Sequence, residues 1–371
     1  MRVVWFSWRD IGNPRAGGAE IISFEHARRW VQAGNDVTLF TAHYRGAPVE
    51  QELDGVRIVR RGSASTVHLA AHRWYRRAAP RANVVIDEIH GIPFCLAAYT
   101  GVPVIGWIYE IARNIWFRMY PPPIALMGHS IEAVALRWYV RRSVPFITDS
   151  RSTAADLCGI GADPSLVTVI EPAINGIPLA ALPHKEDRPT VIFVGRLVRM
   201  KGIEDALRAA ARVRSRLAGC QFWILGTGSD EYVRSLRGLA DELGISAAVR
   251  FFGWIEGDNK FALMGRAHVL IHPSQREGWG MNVVEANAMG TPAVGYRVQG
   301  LRDSIVDGKT GVLCPYGDVS ALANAICSLL TDPPRYQAMR HAAIEWSKRF
   351  DWDRAAVRSL RVLENACGGI G

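Results

Sequence analysis

The sequence predicts two tandem doubly wound α/β domains, and three observations predict it. Short apolar runs alternate with longer amphipathic segments along most of the chain, which is the signature of parallel βαβ units. The alternation stops at residues 176–189, GIPLAALPHKEDRP, a stretch rich in proline and charge that reads as a linker, and then restarts. The length, 371 residues, exceeds what one ordinary core holds and suits two domains of usual size.

The elements follow in order. RVVWFS (2–7) reads as a buried strand, and residues 19–33 as a helix that stops at Gly34. DVTLFTA (36–42), NVVIDE (83–88), PVIGWIYE (103–110) and VPFITDS (144–150) are further strands. Beyond the linker come strand TVIFVG (190–195), a helix over 202–217, strand QFWILG (221–226), a helix over 230–243, strand VRFFG (249–253), a helix near 258–265 and strand HVLIHP (268–273). The tail, FDWDRAAVRSLRVLENA, reads as a helix capped by Asp351 or Asp353, with Trp352, Ala356, Leu360 and Leu363 along one face that must be buried. Sheets of this kind bind ligands outside the carboxyl ends of their strands, so two such domains facing each other are expected to form a cleft.

Composition narrows the class. With 49% hydrophobic and 21% charged residues the chain is of soluble globular type. No apolar run approaches the roughly eighteen residues of a transmembrane helix. The start, MRVVWFSWRD, lacks the apolar core and cleavage site of a signal peptide, so a cytoplasmic location is expected. Six cysteines (Cys95, Cys158, Cys220, Cys314, Cys327, Cys367) lie far apart with no CxxC pair, which suggests neither a disulfide framework nor a zinc site. His68 and His72 have helical spacing but no third ligand nearby, and no metal is expected. A net charge of +9 calls for an anionic partner. The basic residues are dispersed and no folded nucleic-acid motif is present, so that partner is not expected to be nucleic acid.

REGWGMNVVEANAMGTP, residues 276–292, carries the chemistry. Residues 281–289 read as a short helix ended by Gly290, with Pro292 just beyond. Gly278 and Gly280 let a ligand approach closely in front of the N–H groups of Met281, Asn282 and Val283, where hydrogen bonding and the helix dipole favour an anion. Glu285, one turn below, leans back toward that mouth, while Glu277 precedes the helix. A ligand with an anionic centre and a polyol on either flank satisfies all three features, and nucleotide sugars have that shape. The cations that such a site needs are found in VGRLVRMKG (194–202), where Arg196 follows a strand end and Lys201 precedes a helix.

These segments, E-x7-E with G-W-G between, G-R-x4-K-G before it and GGAE at residues 17–20, together resemble the large retaining glycosyltransferase family 4 of GT-B fold, which includes bacterial mannosyl-, glucosyl- and N-acetylglucosaminyltransferases. The resemblance runs over most of the chain and is strongest from about residue 190 to 315. It implies two Rossmann-like domains, residues 1–180 on the acceptor side and 181–347 binding the nucleotide sugar, with residues 348–371 forming a helix that crosses back to the N-terminal domain. It further implies that Arg196 and Lys201 bind the donor diphosphate with help from the backbone of Met281 to Val283, that Glu277 holds hydroxyls of the donor sugar, and that Glu285 holds the ribose. Phe252, in FFGWI, would lie beside the nucleobase, Gly278, Trp279 and Gly280 would border the donor, and Gly17 and Gly18 would approach the diphosphate.

The implied reaction is metal-independent, retaining transfer of a hexose or N-acetylhexosamine from a UDP- or GDP-linked donor to a hydroxyl of a polysaccharide, lipid-linked or small-molecule acceptor. The nucleotide sugar is a substrate, and no cofactor is implied. Family members often carry a histidine after the strand corresponding to PVIGWIYE; here Tyr109 occupies that position, and His90, in DEIHGIPF, is a possible substitute with Arg113 as a neighbouring cation. That departure keeps open a non-catalytic nucleotide-sugar-binding protein or partner subunit of the same fold. A phosphorylase or epimerase on a related scaffold is the other enzyme alternative. The runs RWYRR (73–77) and RWYVRR (137–142) read as core aromatics with solvated arginines, and they leave open a peripheral membrane contact.

Overall fold

The predicted strands are dominated by β-branched and aromatic residues, and such runs settle as parallel strands covered on both faces. The computed structural model describes residues 1–78, 81–174, 181–255 and 257–368, and it assembles these runs into two sheets. The first contains β1 (Arg2–Phe6), β2 (Asp36–Thr41), β3 (Glu50–Leu53), β4 (Val56–Arg60), β5 (Val84–Ile89), β6 (Val104–Ile108), β7 (Phe146–Thr148) and β8 (Val167–Val169), in the order β3-β4-β2-β1-β5-β6-β7-β8. Every pairing is parallel except β3 with β4. The second contains β9 (Thr190–Val194), β10 (Gln221–Leu225), β11 (Val249–Gly253), β12 (Val269–His272), β13 (Ala293–Tyr296) and β14 (Gly311–Cys314), all parallel, in the order β11-β10-β9-β12-β13-β14.

The chain divides into two compact units, Met1–Pro172 together with the helix Trp352–Gly368, and Ala173–Asp351. Of the predicted linker, residues 176–180 lie outside the described residues. Residues 181–189 have no regular structure before β9 but are fastened to the second unit. Lys185 Nζ donates to the Ala267 carbonyl at 2.6 Å and to Thr291 Oγ1 at 2.7 Å, and the Glu186 N–H donates to the Arg266 carbonyl. A proline- and charge-rich composition here marks an anchored strap, because its polar groups are satisfied by the domain it enters.

In the first unit, alternate residues of β1 feed two cores. Val4 and Phe6 face one side, with Phe40, Val85, Ile108 and Phe146. Trp5 faces the other, where its ring lies 5.4 Å from Trp30 and 4.7 Å from Trp107. That second side is closed by the helix Gly18–Gln32 and the helix Trp352–Gly368, which pack on each other. The tail buries Trp352, Ala356 and Leu363 as its periodicity predicts; Ser359 is buried in the same row and Leu360 is only half-buried. Ser359 belongs there because His26 Nδ1 pairs with its hydroxyl at 2.8 Å, while Trp30 Nε1 donates to the Ala356 carbonyl at 3.1 Å. Of the aromatics in the two basic runs, Trp74 and Tyr139 are core residues, Tyr139 donating to Asp87, whereas Trp138 is half-buried. His68 and His72 spend their rings on packing, against Phe94 and Tyr99.

His26 lies fully inside this aromatic cluster, and burial, with Arg29 nearby, pushes its imidazole down to about 3 from 6.5. Its neutral form therefore contributes stability that is present above pH 6.5 and is lost as the pH falls toward 3. Equilibrium unfolding of His26→Gln, which keeps a partner for Ser359, should show a shallower loss of stability than the parent across that window. Parallel pH dependences would remove His26 from the acid response.

Candidate functional site

In a doubly wound sheet the loops leaving two neighbouring strands diverge where the strand order reverses, and a ligand crevice forms there. In the second unit that point lies between β9 and β12, which pair directly, Val191 with Val269 and Ile192 with Leu270. The loop after β9 carries Arg196 and Lys201; the loop after β12 carries Glu277 and runs into the helix Met281–Ala288. The topology therefore brings the two sequence motifs to one sheet edge.

The two loops are laced together. Gly202, which follows Lys201, has φ +70°, and a Cβ there would stand 2.0 Å from the Pro273 carbonyl oxygen, so only glycine fits. The Gln275 N–H donates to the Met200 carbonyl at 2.9 Å. Gly300 meets the same constraint against the Glu277 carbonyl, at 2.3 Å and φ +76°. Asn282 Nδ2 donates to the Val194 carbonyl at 2.8 Å, tying the helix N-terminus to the end of β9. The Val283 N–H bonds back to Gly280, whereas the N–H groups of Met281 and Asn282 have no acceptor among the described residues.

Each carboxylate has its own lysine. Lys201 Nζ donates to Glu277 Oε1 at 2.5 Å, and His272 Nε2 lies 3.3 Å from the same oxygen. Burial pushes the Glu277 carboxyl up, but Lys201 and His272 more than offset it and hold the group well below the usual carboxylate range. Glu277 is thus an ionised acceptor at neutral pH. Glu285, buried on the first turns of its helix, receives Lys260 Nζ at 2.7 Å. Lys260, on the helix Gly257–Arg266, and His272 at the end of β12 were not read from the sequence.

The other predicted donor residues take different places. Arg196 is exposed and has no side-chain partner among the described residues. Phe252 is half-buried, its ring 5.6 Å from Trp223 and under the Arg250 guanidinium. Trp279 is buried, 5.3 Å from Phe350 edge to face, so its bulk fixes the loop from within, while Gly278 is half-buried and Gly280, at φ +94°, is buried against Leu301.

In the first unit the corresponding edge lies between β1 and β5. Asp10 anchors the loop after β1 by accepting two hydrogen bonds from Arg60, at 2.7 and 2.8 Å, both side chains being buried. Gly17 caps the helix Gly18–Gln32, and its N–H donates to Glu20 at 2.7 Å, half of a capping box. Tyr109, just past β6, is buried and donates its hydroxyl proton to the Ala19 carbonyl at 3.2 Å. Burial, then the neighbouring Glu88 and Asp149, push its phenol well up, so it stays neutral and cannot serve as a base. His90, at the end of β5, is exposed with its ring 5.3 Å from that of Tyr109.

The Glu277 pairing gives a signed expectation. Because its folded pKa lies below the unfolded 4.5, the charged form contributes stability above pH 4.5 that fades as the pH falls through the folded value. In Lys201→Ala, burial is no longer opposed by the lysine and the carboxyl rises. The variant should lose about 3 kcal/mol at neutral pH, and the deficit should shrink toward pH 4.5. Denaturant titrations at several pH values check this; a deficit independent of pH would mean that Lys201 contributes by packing alone.

Comparison with known proteins agrees with this architecture. Residues 16–175 match the family model described as Glycosyltransferase Family 4, and residues 179–346 match Glycosyl transferases group 1. The chain is 36% identical to a D-inositol 3-phosphate glycosyltransferase of Corynebacterium urealyticum, over 95% of this chain and 92% of that one. It is 31% identical to a glycogen synthase of Mycobacterium tuberculosis over 72% of this chain, but spans only 64% of that protein's length. Among solved structures, sucrose-phosphate synthase from Thermosynechococcus elongatus superimposes with a TM-score of 0.83 at 20% identity, covering 99% of both chains. With both halves matched and a relative this similar over nearly its whole length, the chain belongs to glycosyltransferase family 4, of GT-B fold.

Proposed function

We propose that the protein transfers a hexose or N-acetylhexosamine from a UDP- or GDP-linked donor to a hydroxyl of a polysaccharide, lipid-linked or small-molecule acceptor, with retention of configuration and without a metal or cofactor. The single observation that carries this reading is the pair of lysine-held carboxylates, Glu277 four residues before a helix and Glu285 within it, where the Met281 and Asn282 N–H groups have no acceptor among the described residues. A diphosphate fits the N–H groups, and a polyol on each flank fits a carboxylate acceptor.

In this reading the second unit binds the donor and the first serves the acceptor. Glu285 accepts from the ribose and Glu277 from the transferred sugar, while Phe252 borders the base. As the anomeric carbon–phosphate oxygen bond breaks and the bond to the acceptor oxygen forms on the same face, the acceptor's proton passes to a departing phosphate oxygen. Negative charge grows on the diphosphate during that step, and Arg196, with the helix N–H groups and Lys201, is placed to stabilise it. Tyr109 keeps a positioning role through Ala19, and His90, the exposed imidazole beside it, is assigned to the reacting sugar. The protein is read as cytoplasmic with a peripheral membrane contact.

The test is a thermal-shift panel of UDP, GDP, ADP and TDP, followed by nucleotide release from the matching sugar donors with and without EDTA. A nucleotide at a hundredfold excess over its dissociation constant adds about 2.7 kcal/mol of stability. One base should give a shift, and release should be insensitive to EDTA. No shift with any nucleotide would contradict the donor site, and binding that never leads to release, with any acceptor class, would leave a non-catalytic nucleotide-sugar binder. Glu285→Ala should weaken free-nucleotide binding by at least about 1 kcal/mol. Arg196→Ala should depress turnover more than donor affinity, and equal losses would reduce Arg196 to a binding residue.

A further inference from the structure

The helix Pro122–Arg141 turns a row of large apolar side chains to solvent. Ile124, Leu126, Met127, Ile131 and Val134 are between 40% and 68% exposed, and no other described element exposes more than one side chain of this kind. Ile124, Met127, Ile131 and Val134 recur at three- and four-residue intervals, and half-buried Trp138 continues the row one turn on. The opposite face, Ala125, Gly128, Glu132, Ala135, Leu136 and Tyr139, is the one that the domain core uses. Folding is thus served by one face, and the second apolar row is surplus to it. Phe117, on the adjoining short helix Trp116–Met119, is exposed as well.

The charge around the row has one sign. Arg137, Arg141 and Arg142 are exposed, and the Arg142 guanidinium lies 4.4 Å over the Trp138 ring. The helix has a single acid, Glu132, which is buried and accepts hydrogen bonds from the N–H groups of Ala112 and Arg113 and from Trp116 Nε1. The exposed face therefore combines protruding aliphatic side chains, a tryptophan and arginines with no carboxylate. A convex apolar row with a cationic border and an aromatic at its edge complements a bilayer interface rich in anionic headgroups: the aliphatic chains enter the acyl boundary and the arginines stay at headgroup depth. No described helix is long and apolar enough to cross a membrane, so the contact lies in the plane of the interface.

We propose that Ile124, Met127, Ile131 and Val134, with Arg137 and Arg141, form the surface by which this protein docks on an anionic membrane. The inference gives the peripheral contact of the preceding section a place and a chemistry; it rests on that reading for the contact alone and needs none of the transfer chemistry.

The probe is co-sedimentation of the full chain with vesicles of phosphatidylcholine alone and of phosphatidylcholine mixed with phosphatidylglycerol. Binding is expected to the mixed vesicles and to weaken with added salt. It should fall about tenfold or more in Arg137→Gln/Arg141→Gln and be lost in Met127→Ser/Ile131→Ser/Val134→Ser. Circular dichroism and the nucleotide-induced thermal shift should remain those of the parent in both variants. Failure to bind mixed vesicles, or binding that survives both variants, would overturn the proposal. So would a concentration-dependent dimer that the triple variant turns into a monomer, since the face would then belong to a second copy of the chain. None of the substituted residues lies in the donor site, so absent vesicle binding with intact nucleotide binding defeats this inference alone. The reverse result defeats the donor-site reading alone.

Discussion

A carboxylate taken out of water must find donors or a cation to replace its hydration, and the candidate site of the second unit is organised by that constraint. Glu277 and Glu285 sit beside the same helix N-terminus, and each is met by one lysine, Lys201 and Lys260. Lys201 can reach Glu277 only if the turn after β9 lies directly on the chain leaving β12, which requires Gly202 in a left-handed conformation against the Pro273 carbonyl. Gly300 keeps Glu277 in place from the other side, and Asn282 holds the helix start to the end of β9. The result is preorganisation: two lysine-paired carboxylates, and two backbone donors with no acceptor among the described residues, are held by the fold itself, so little side-chain freedom remains to be lost on binding.

The first unit is ordered by a different buried pair. Arg60 grips Asp10 with two hydrogen bonds, and through Asp10 the loop after β1 is fixed ahead of Gly17 and Gly18. Beyond that loop, Tyr109 commits its hydroxyl to the Ala19 carbonyl, whereas His90 remains exposed on the neighbouring strand end. The two residues share a neighbourhood but differ in burial: Tyr109 is a buried neutral phenol and His90 lies at the surface.

Much of this was legible in the sequence, for identifiable reasons. The nine strands expected from apolar runs each appear within two residues of their expected ends, whereas β4, β13 and β14, also buried and parallel, were not read from the sequence. The short polar strand β3, EQEL, carries no such run, yet Asp54 and Gly55, both at positive φ, form the two-residue turn that a D-G step signals, so the β3–β4 hairpin could have been found from its turn. β8, with three half-buried residues, leaves no periodicity to detect. Within the site, the residues on one contiguous motif were visible because helix geometry alone relates them. Lys260 and His272 were not, because each meets its carboxylate across elements, and neither charge nor spacing in the sequence announces a partner 25 residues distant or a strand-end histidine beside Glu277. The apolar row of the helix Pro122–Arg141 was passed over for a related reason. Composition identifies apolar residues, but which face of a helix the core has taken emerges only from packing.

The central claim is that an anion is held by the N-terminal amides of the helix Met281–Ala288 between Glu277 and Glu285. Residue-resolved amide hydrogen exchange, with and without a saturating nucleoside diphosphate, tests it most directly. The account predicts slowed exchange at Met281 and Asn282 together with the loop from Arg196 to Gly202. Unchanged exchange at both amides under saturation would contradict it.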